Sequence, residues 1–352
     1  MKRRSFLKNA AFLAGAAAMP KMAAACASGD GQALPDLCVA KDLSFRSDGS
    51  FTLLQFTDTH YVAGDPRSAR ALDCVREAIE AVRPDFVIHT GDLVYGHPDL
   101  ESAETILSPL AESGIPWAVC LGNHDAQFGS SREAMFRHIR SLRGCVNQAP
   151  KEGVYGCSND VVTLSGAKGV ERVFYLFDTM DAIVLRGEEE LHCYDFLRHS
   201  QIGWYRAHSG RFAAARDGQP VPSLAFFHIP LREVGEGVAA GAPLTGNNGE
   251  PSCPSRLNSG MAAQFRELGD VEAVVTGHDH DCDYVLNYGQ LFYIYGRYSG
   301  GDTVYNHLGR SGCRLFTFRE GRPGMETCVR LYGGEIQQRV RLENHQILPV
   351  QL

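Results

Sequence analysis

Phe51-Thr52-Leu53-Leu54-Gln55-Phe56-Thr57-Asp58-Thr59-His60 runs from a mostly apolar hexad into a carboxylate and an imidazole two positions apart. An apolar run this short reads as a buried strand, and the donors stand where the chain leaves it. The same join recurs: residues 86–89 lead into Gly91-Asp92, 117–121 into Gly122-Asn123-His124-Asp125, 224–227 into His228, and 271–275 into Gly277-His278-Asp279-His280. Ligands of α/β sheets collect beyond the carboxyl ends of strands, so these joins are expected to converge on one site. Between them, residues 68–82, 100–112, 132–142, 201–215 and 259–268 carry apolar residues at helical spacing. Strands alternating with helices predict an α/β architecture. After the last join the pattern changes to hairpins, 284–287 answering 291–295 and 313–318 answering 326–332, which predicts an antiparallel second sheet.

The donor types are those of a metal centre. Asp58 and His60, on a chain leaving a strand, can face one ion, and His278 and His280 repeat their spacing after Gly277. Imidazole with carboxylate suits iron, manganese or zinc. Asp92 is the best candidate to bridge two ions, because Gly91 lets the backbone turn sharply and come close. Asn123 offers a neutral amide oxygen. His228 alone would read as a buried core histidine, and an isolated Gly-Asp or Asp-x-His turn is common; in this order, each at a strand end, they read together as one dinuclear site. Two ions ~3.5–4 Å apart activate water and neutralise phosphate oxygens, which makes phosphoester hydrolysis the expected reaction. No Gly-x-Ser-x-Gly elbow offers a serine nucleophile instead.

These motifs resemble the calcineurin-like metallophosphoesterase superfamily and, within it, the short purple-acid-phosphatase-related proteins whose first motif is Asp-x-His. The likeness runs from Phe51 to about Arg319 and takes in Tyr194-Asp195, Ser200-Gln201, Trp204-Tyr205, Cys253-Pro254 and Asn258-Ser259-Gly260. It implies a sandwich of two mixed β-sheets flanked by helices. It also implies that Asp58, His60, Asp92 and His280 hold one metal and that Asp92, Asn123, His228 and His278 hold the other. A hydroxide on the metals would be the nucleophile. His124 would protonate the leaving oxygen or stabilise the transition state, with Asp125 orienting its imidazole. A phosphomonoesterase is expected first, a phosphodiesterase or nucleotide pyrophosphatase second, and a non-catalytic surface binding protein last. Purple enzymes take an iron-bound tyrosine from Gly-Asp-x-x-Tyr and lack the Asp-x-His histidine. Here Tyr95 has that spacing while His60 is also present, so Tyr95 is expected beside the metals and a ferric, coloured site is not.

Arg232, Asn258, Arg297 and Tyr298 are candidates to contact the phosphate or leaving group; a solvated arginine and a helix-capping asparagine are the plainer readings. The glycine- and proline-rich segment 235–254 is expected to be a long loop lining the site.

Residues 1–25 read separately. A basic head with Arg3-Arg4-Ser5-Phe6-Leu7-Lys8, an apolar stretch and Ala23-Ala24-Ala25-Cys26 match a twin-arginine export signal, and Cys26 is a candidate for lipid attachment. A periplasmic or cell-surface location follows, with residues 26–48 as a tether and 49–352 as a single domain. Cleavage would remove five cations and no acid, taking the formal charge from -7 to -12. So acidic a chain is not expected to bind nucleic acid; its expected partner is a small phosphoester. Eleven cysteines suit an oxidising compartment. Nearness in sequence suggests Cys145 with Cys157, Cys253 with Cys282 and Cys313 with Cys328, leaving Cys74 and Cys120 as free core thiols.

Overall fold

The computed structural model describes residues 38–186 and 191–350. In chain order the first half comprises β1 (Lys41–Ser44), β2 (Ser50–Phe56), α1 (Ser68–Val82), β3 (Phe86–His89), α2 (Asp99–Ser113), β4 (Trp117–Val119), α3 (Arg132–Ser141), β5 (Asp160–Gly166) and β6 (Gly169–Leu176). Then come β7 (Ala182–Leu185), β8 (Leu191–Tyr194), α4 (His199–Ala214), β9 (Ser223–Phe226), α5 (Arg232–Ala239), β10 (Leu244–Thr245), α6 (Met261–Leu268) and β11 (Val271–Thr276). The chain closes with β12 (Val285–Tyr288), β13 (Leu291–Tyr295), β14 (Gly312–Arg319), β15 (Met325–Leu331), β16 (Ile336–Glu343) and β17 (Gln346–Pro349).

Two mixed sheets result, ordered β1-β5-β6-β9-β11-β13-β12-β10 and β17-β16-β15-β14-β2-β3-β4, with β7-β8 as a separate hairpin. Strand periodicity explains the layering. In β2, Phe51 and Leu53 face the core between the sheets, while Leu54 and Phe56 face α1, α2 and α3. In β6, Phe174 and Leu176 point into the same inner core, and Val173 and Tyr175 point out to α4 and α6. Each such side chain, fully buried, contributes about 1.5–3 kcal/mol. The result is the helix–sheet–sheet–helix sandwich. The parallel neighbours β2-β3-β4 and β9-β11-β13 present their carboxyl ends together, which positions the site.

Three expectations need correction. The two C-terminal hairpins do not form one sheet: β12-β13 extends the first, whereas β14 pairs with β2 and carries β15 into the second. The segment 235–254 is not all loop, since it contains most of α5 and all of β10. The tether is shorter than expected because β1 pairs with β5 and buries Leu43. The export signal and Cys26 lie outside the described residues.

The described cysteines are all unpaired, so none of the three suggested disulfides is present. Cys313 stands opposite Arg330 and Cys328 opposite Leu315. Such diagonal neighbours lie ~7–8 Å apart, at or beyond the reach of a disulfide. Cys74 and Cys120 are buried free thiols.

Candidate metal centre

Four of the seven donors sit in strained turns beyond their strands. Asp58, His60, Asp92 and His278 all adopt left-handed φ values, of 54°, 43°, 55° and 79°. Backbone bonds tie the first two turns together, Asp58 N donating to Gly91 O and His60 N to Asp92 O, both at 3.0 Å. A Cβ on Gly91 would collide with the Gly122 backbone, and one on Gly122 with the Asp92 carboxylate; only glycines let these loops touch.

The turns bring Asp58, His60 and His280 within 4.8 Å of one another, and Asp92, His228 and His278 likewise. One Asp92 oxygen, Oδ2, lies 3.6 Å from His60 Nε2 and 3.2 Å from His228 Nε2, so it faces both groups. Its other oxygen accepts the His124 backbone N–H at 2.8 Å. Asn123 Oδ1 stands 3.1 Å from His228 Nε2, and His278 Nδ1 3.3 Å from that same nitrogen. Asp58 is held by the Thr57 hydroxyl at 2.7 Å and the His278 N–H at 3.1 Å.

This donor set fits two cations. His280 Nδ1 donates to Tyr305 O at 3.0 Å and His228 Nδ1 to Thr90 O at 2.7 Å, which leaves each Nε2 turned inward. His60 Nε2 and His280 Nε2 are 3.0 Å apart. Two ligands at ~2.1 Å and right angles around one ion are separated by about 3 Å, so this spacing suits a shared ion as well as an Nε2–H···Nε2 hydrogen bond. Burial drives His60 and His278 down to about 3, which keeps both as neutral imidazoles, the ligand form. At His228 burial is outweighed by the Asp92 and Asp58 carboxylates, which lift it to about 9; a bound cation takes the place of that proton. His60 Nδ1 is buried without a partner, and the ring is held instead by Tyr95, His280 and Tyr298.

His124 sits at the open side, its side chain 27% exposed and its Nε2 3.9 Å from Asp92 Oδ2. The role expected of Asp125 needs correction. Its carboxylate accepts Gly122 N at 2.8 Å, Asp92 N at 3.0 Å and Leu93 N at 2.7 Å, so it ties two ligand loops together and does not touch the His124 ring. Gln127 orients that ring, with Oε1 2.7 Å from Nδ1. Behind the same loop, Arg132 donates to Gly122 O at 2.8 Å, to Leu121 O at 3.0 Å and to the buried Asp178 carboxylate. Sequence reasoning missed both. Gln127 follows His124 by three residues, a local signal that was available; Arg132 opens a helix and looks like a surface residue.

The substrate candidates divide. Arg297 is 2% exposed and spends its guanidinium on Asp283 and the carbonyls of Leu308 and Arg310, so it cannot meet a substrate. Tyr298 is also buried, with its ring against His280 and His60. Asn258 caps Gly260 and donates to Glu233, while Arg232 is exposed and donates to Arg256 O. Tyr95 stands beside the cluster, its ring centroid 5.3 Å from that of His60.

The calcineurin-like phosphoesterase family profile matches residues 51–282. An Arabidopsis thaliana protein named probable inactive purple acid phosphatase 28 is 31% identical over 302 residues, 76% of this chain and 74% of that one. Phosphatase DCR2 of Saccharomyces cerevisiae is 24% identical over 275 residues, 70% of this chain and 47% of its own. A dimetal phosphatase from Danio rerio superposes with a TM-score of 0.58 at 16% identity, covering 83% of this chain and 98% of that one, and so shares the fold. On the strand-end donors, the two sheets and these likenesses, the chain belongs to the calcineurin-like phosphoesterase family.

Proposed function

We propose that the protein is a phosphomonoesterase that uses two metal ions and His124. The observation that carries this reading is a complete donor set with a partly exposed imidazole beside it, 3.9 Å from the carboxylate that faces both groups. Asp58, His60, Asp92 and His280 would hold one ion and Asp92, Asn123, His228 and His278 the other; bound there, iron, manganese or zinc supplies Lewis acidity and lowers the pKa of water. The remaining work falls to the chain. Asp92 is fixed by the His124 N–H, so one peptide couples the bridge to the acid. Gln127 accepts from Nδ1, so the ring hands a proton from Nε2 to the leaving oxygen only as the imidazolium, which carries a hydrogen on both nitrogens and returns to the Nδ1–H neutral form. The named relative is called inactive, but this chain keeps every donor and His124, which supports turnover.

A phosphodiesterase or nucleotide pyrophosphatase is the second reading. In its support, a cleft of about 410 Å³ lined by Arg232, Glu236, Ser252, Pro254 and Arg256 offers two guanidiniums without an ion pair among the described residues, and either suits a phosphate; none of the metal donors lines that cleft. The leader and Cys26 support export and a lipid anchor, to be tested by secretion with Arg3 and Arg4 replaced by lysine.

Metal-loaded protein assayed on a panel of mono- and diesters decides between the readings. His124→Ala is expected to keep both metals and lose turnover, most for poor leaving groups. Full activity of that variant would remove His124 from the mechanism.

A further inference from the structure

The surface around His124 is built of rings. Tyr95 stands edge-on to His124, with centroids 4.8 Å apart and planes at 78°, yet is 38% exposed and belongs to none of the cores. Phe128, partly buried with its ring against the core beneath α1, α2 and α3, meets Tyr95 at 5.4 Å, and His97 meets Phe128 at 6.1 Å. The rings run in series from the imidazole outward. Across the cluster, Tyr305 lies against His280 at 4.4 Å and 29° from parallel, 46% exposed, with its hydroxyl held by Glu250 at 2.9 Å. His60 and His280 have centroids 4.8 Å apart, so Tyr95 and Tyr305 lie against adjoining rings of the same cluster. Exposed and half-exposed aromatic rings held in fixed orientations next to a proton donor form a face that a flat apolar group would cover.

We infer that Tyr95 and Phe128 form the leaving-group subsite and select phosphoesters whose alcohol carries a planar aromatic ring, with Tyr305 bounding the other side. The inference rests on the phosphomonoesterase reading, because the place of the leaving group is defined by His124. It narrows the substrate class to aryl phosphates or nucleoside phosphates. In an aryl ester the ring is bonded to the leaving oxygen and lies on Tyr95, next to the acid. In a nucleotide the base is set back by its ribose and reaches Phe128.

The test uses the metal-loaded full chain, Tyr95→Leu and Phe128→Leu, with phenyl phosphate, adenosine 5′-monophosphate and glycerol phosphate as substrates and metal content checked for each protein. The ratio of kcat/KM for the aromatic esters over glycerol phosphate is expected to fall about tenfold, as the loss of one stacked ring implies. A larger fall for phenyl phosphate in Tyr95→Leu identifies the aryl class, and a larger fall for the nucleotide in Phe128→Leu the nucleoside class. Calorimetry with phenol, adenosine and glycerol provides an arm that needs no turnover: wild type should bind the aromatic alcohols and the variants about tenfold more weakly. Unchanged ratios together with unchanged binding would overturn the subsite. A protein inert toward every ester would instead refute the phosphomonoesterase reading, while calorimetry would still decide the subsite.

Discussion

Replacing Arg132 with methionine should destabilise the fold and loosen the metal centre together. The guanidinium pairs with Asp178 at 2.5 Å and reaches the carbonyls of Leu121 and Gly122, with the two side chains 6% and 0% exposed. Burial alone would favour a neutral Asp178, but Arg132 outweighs it and holds the carboxyl below its usual range. Without Arg132 the carboxylate keeps the N–H groups of Cys157, Ser158 and Met180 but loses its countercharge. An uncompensated buried charge costs about 3–5 kcal/mol, and charge-assisted bonds at about 1.5–3 kcal/mol each give the same order. Urea denaturation in the presence of chelator isolates this term from the stabilisation that bound metal adds. Metal titration then reads the second effect, since Asn123 follows the released Gly122 carbonyl. Adding Asp178→Leu should recover part of the loss, so the double variant should cost less than the two singles together. Stability of Arg132→Met within about 1 kcal/mol of wild type, or strict additivity in the cycle, would refute the reasoning.

Asp92→Asn should abolish hydrolysis and lower metal content by elemental analysis, because the oxygen facing both groups loses its charge; full activity with two metals bound would remove Asp92 from the bridging position. Tyr95→Phe should retain most metal and activity, and aerobically purified enzyme should lack a purple band, while His60→Ala loses both metal and activity; a purple preparation bleached by Tyr95→Phe would contradict this. His208 has a buried, unpartnered Nε2 beside Trp204, and burial lowers it to about 4. The unfolded chain therefore takes up a proton below about 6.5 that the native state refuses. Its contribution is complete above that pH and declines toward pH 4, by up to about 3 kcal/mol. His208→Leu should flatten that stretch of the urea midpoint against pH, and an unaltered slope would assign the dependence to other groups.

The site was legible in the sequence because its chemistry is local. Each donor motif follows its own apolar strand, and the helical spacing at 68–82 needed no tertiary information, so α1 falls where periodicity put it. What sequence could not supply was pairing over distance. Nothing near Phe316 says that it stands opposite Leu53, so the sheet that β14 joins was beyond reach. Helix α5 was hidden by Gly235 and Gly237; the latter is required because a Cβ there would run into Tyr288. Asp125 was recognised as part of the site, but its direction was not: adjacency suggested the neighbouring imidazole, whereas backbone N–H groups of the facing loop won the carboxylate.

The left-handed turns at Asp58, His60, Asp92 and His278 bear on how such a centre is inherited. A non-glycine residue in that conformation is disfavoured by about 1 kcal/mol or more, and glycine or asparagine would relieve much of it. Drift at these positions therefore runs toward a sturdier protein without metals. A lineage released from catalysis would lose its ligands quickly, because stability and relaxed selection would favour the same substitutions. Acidic and imidazole side chains stand at all four of these turns, so here the strained conformation and the donor chemistry occur at the same positions.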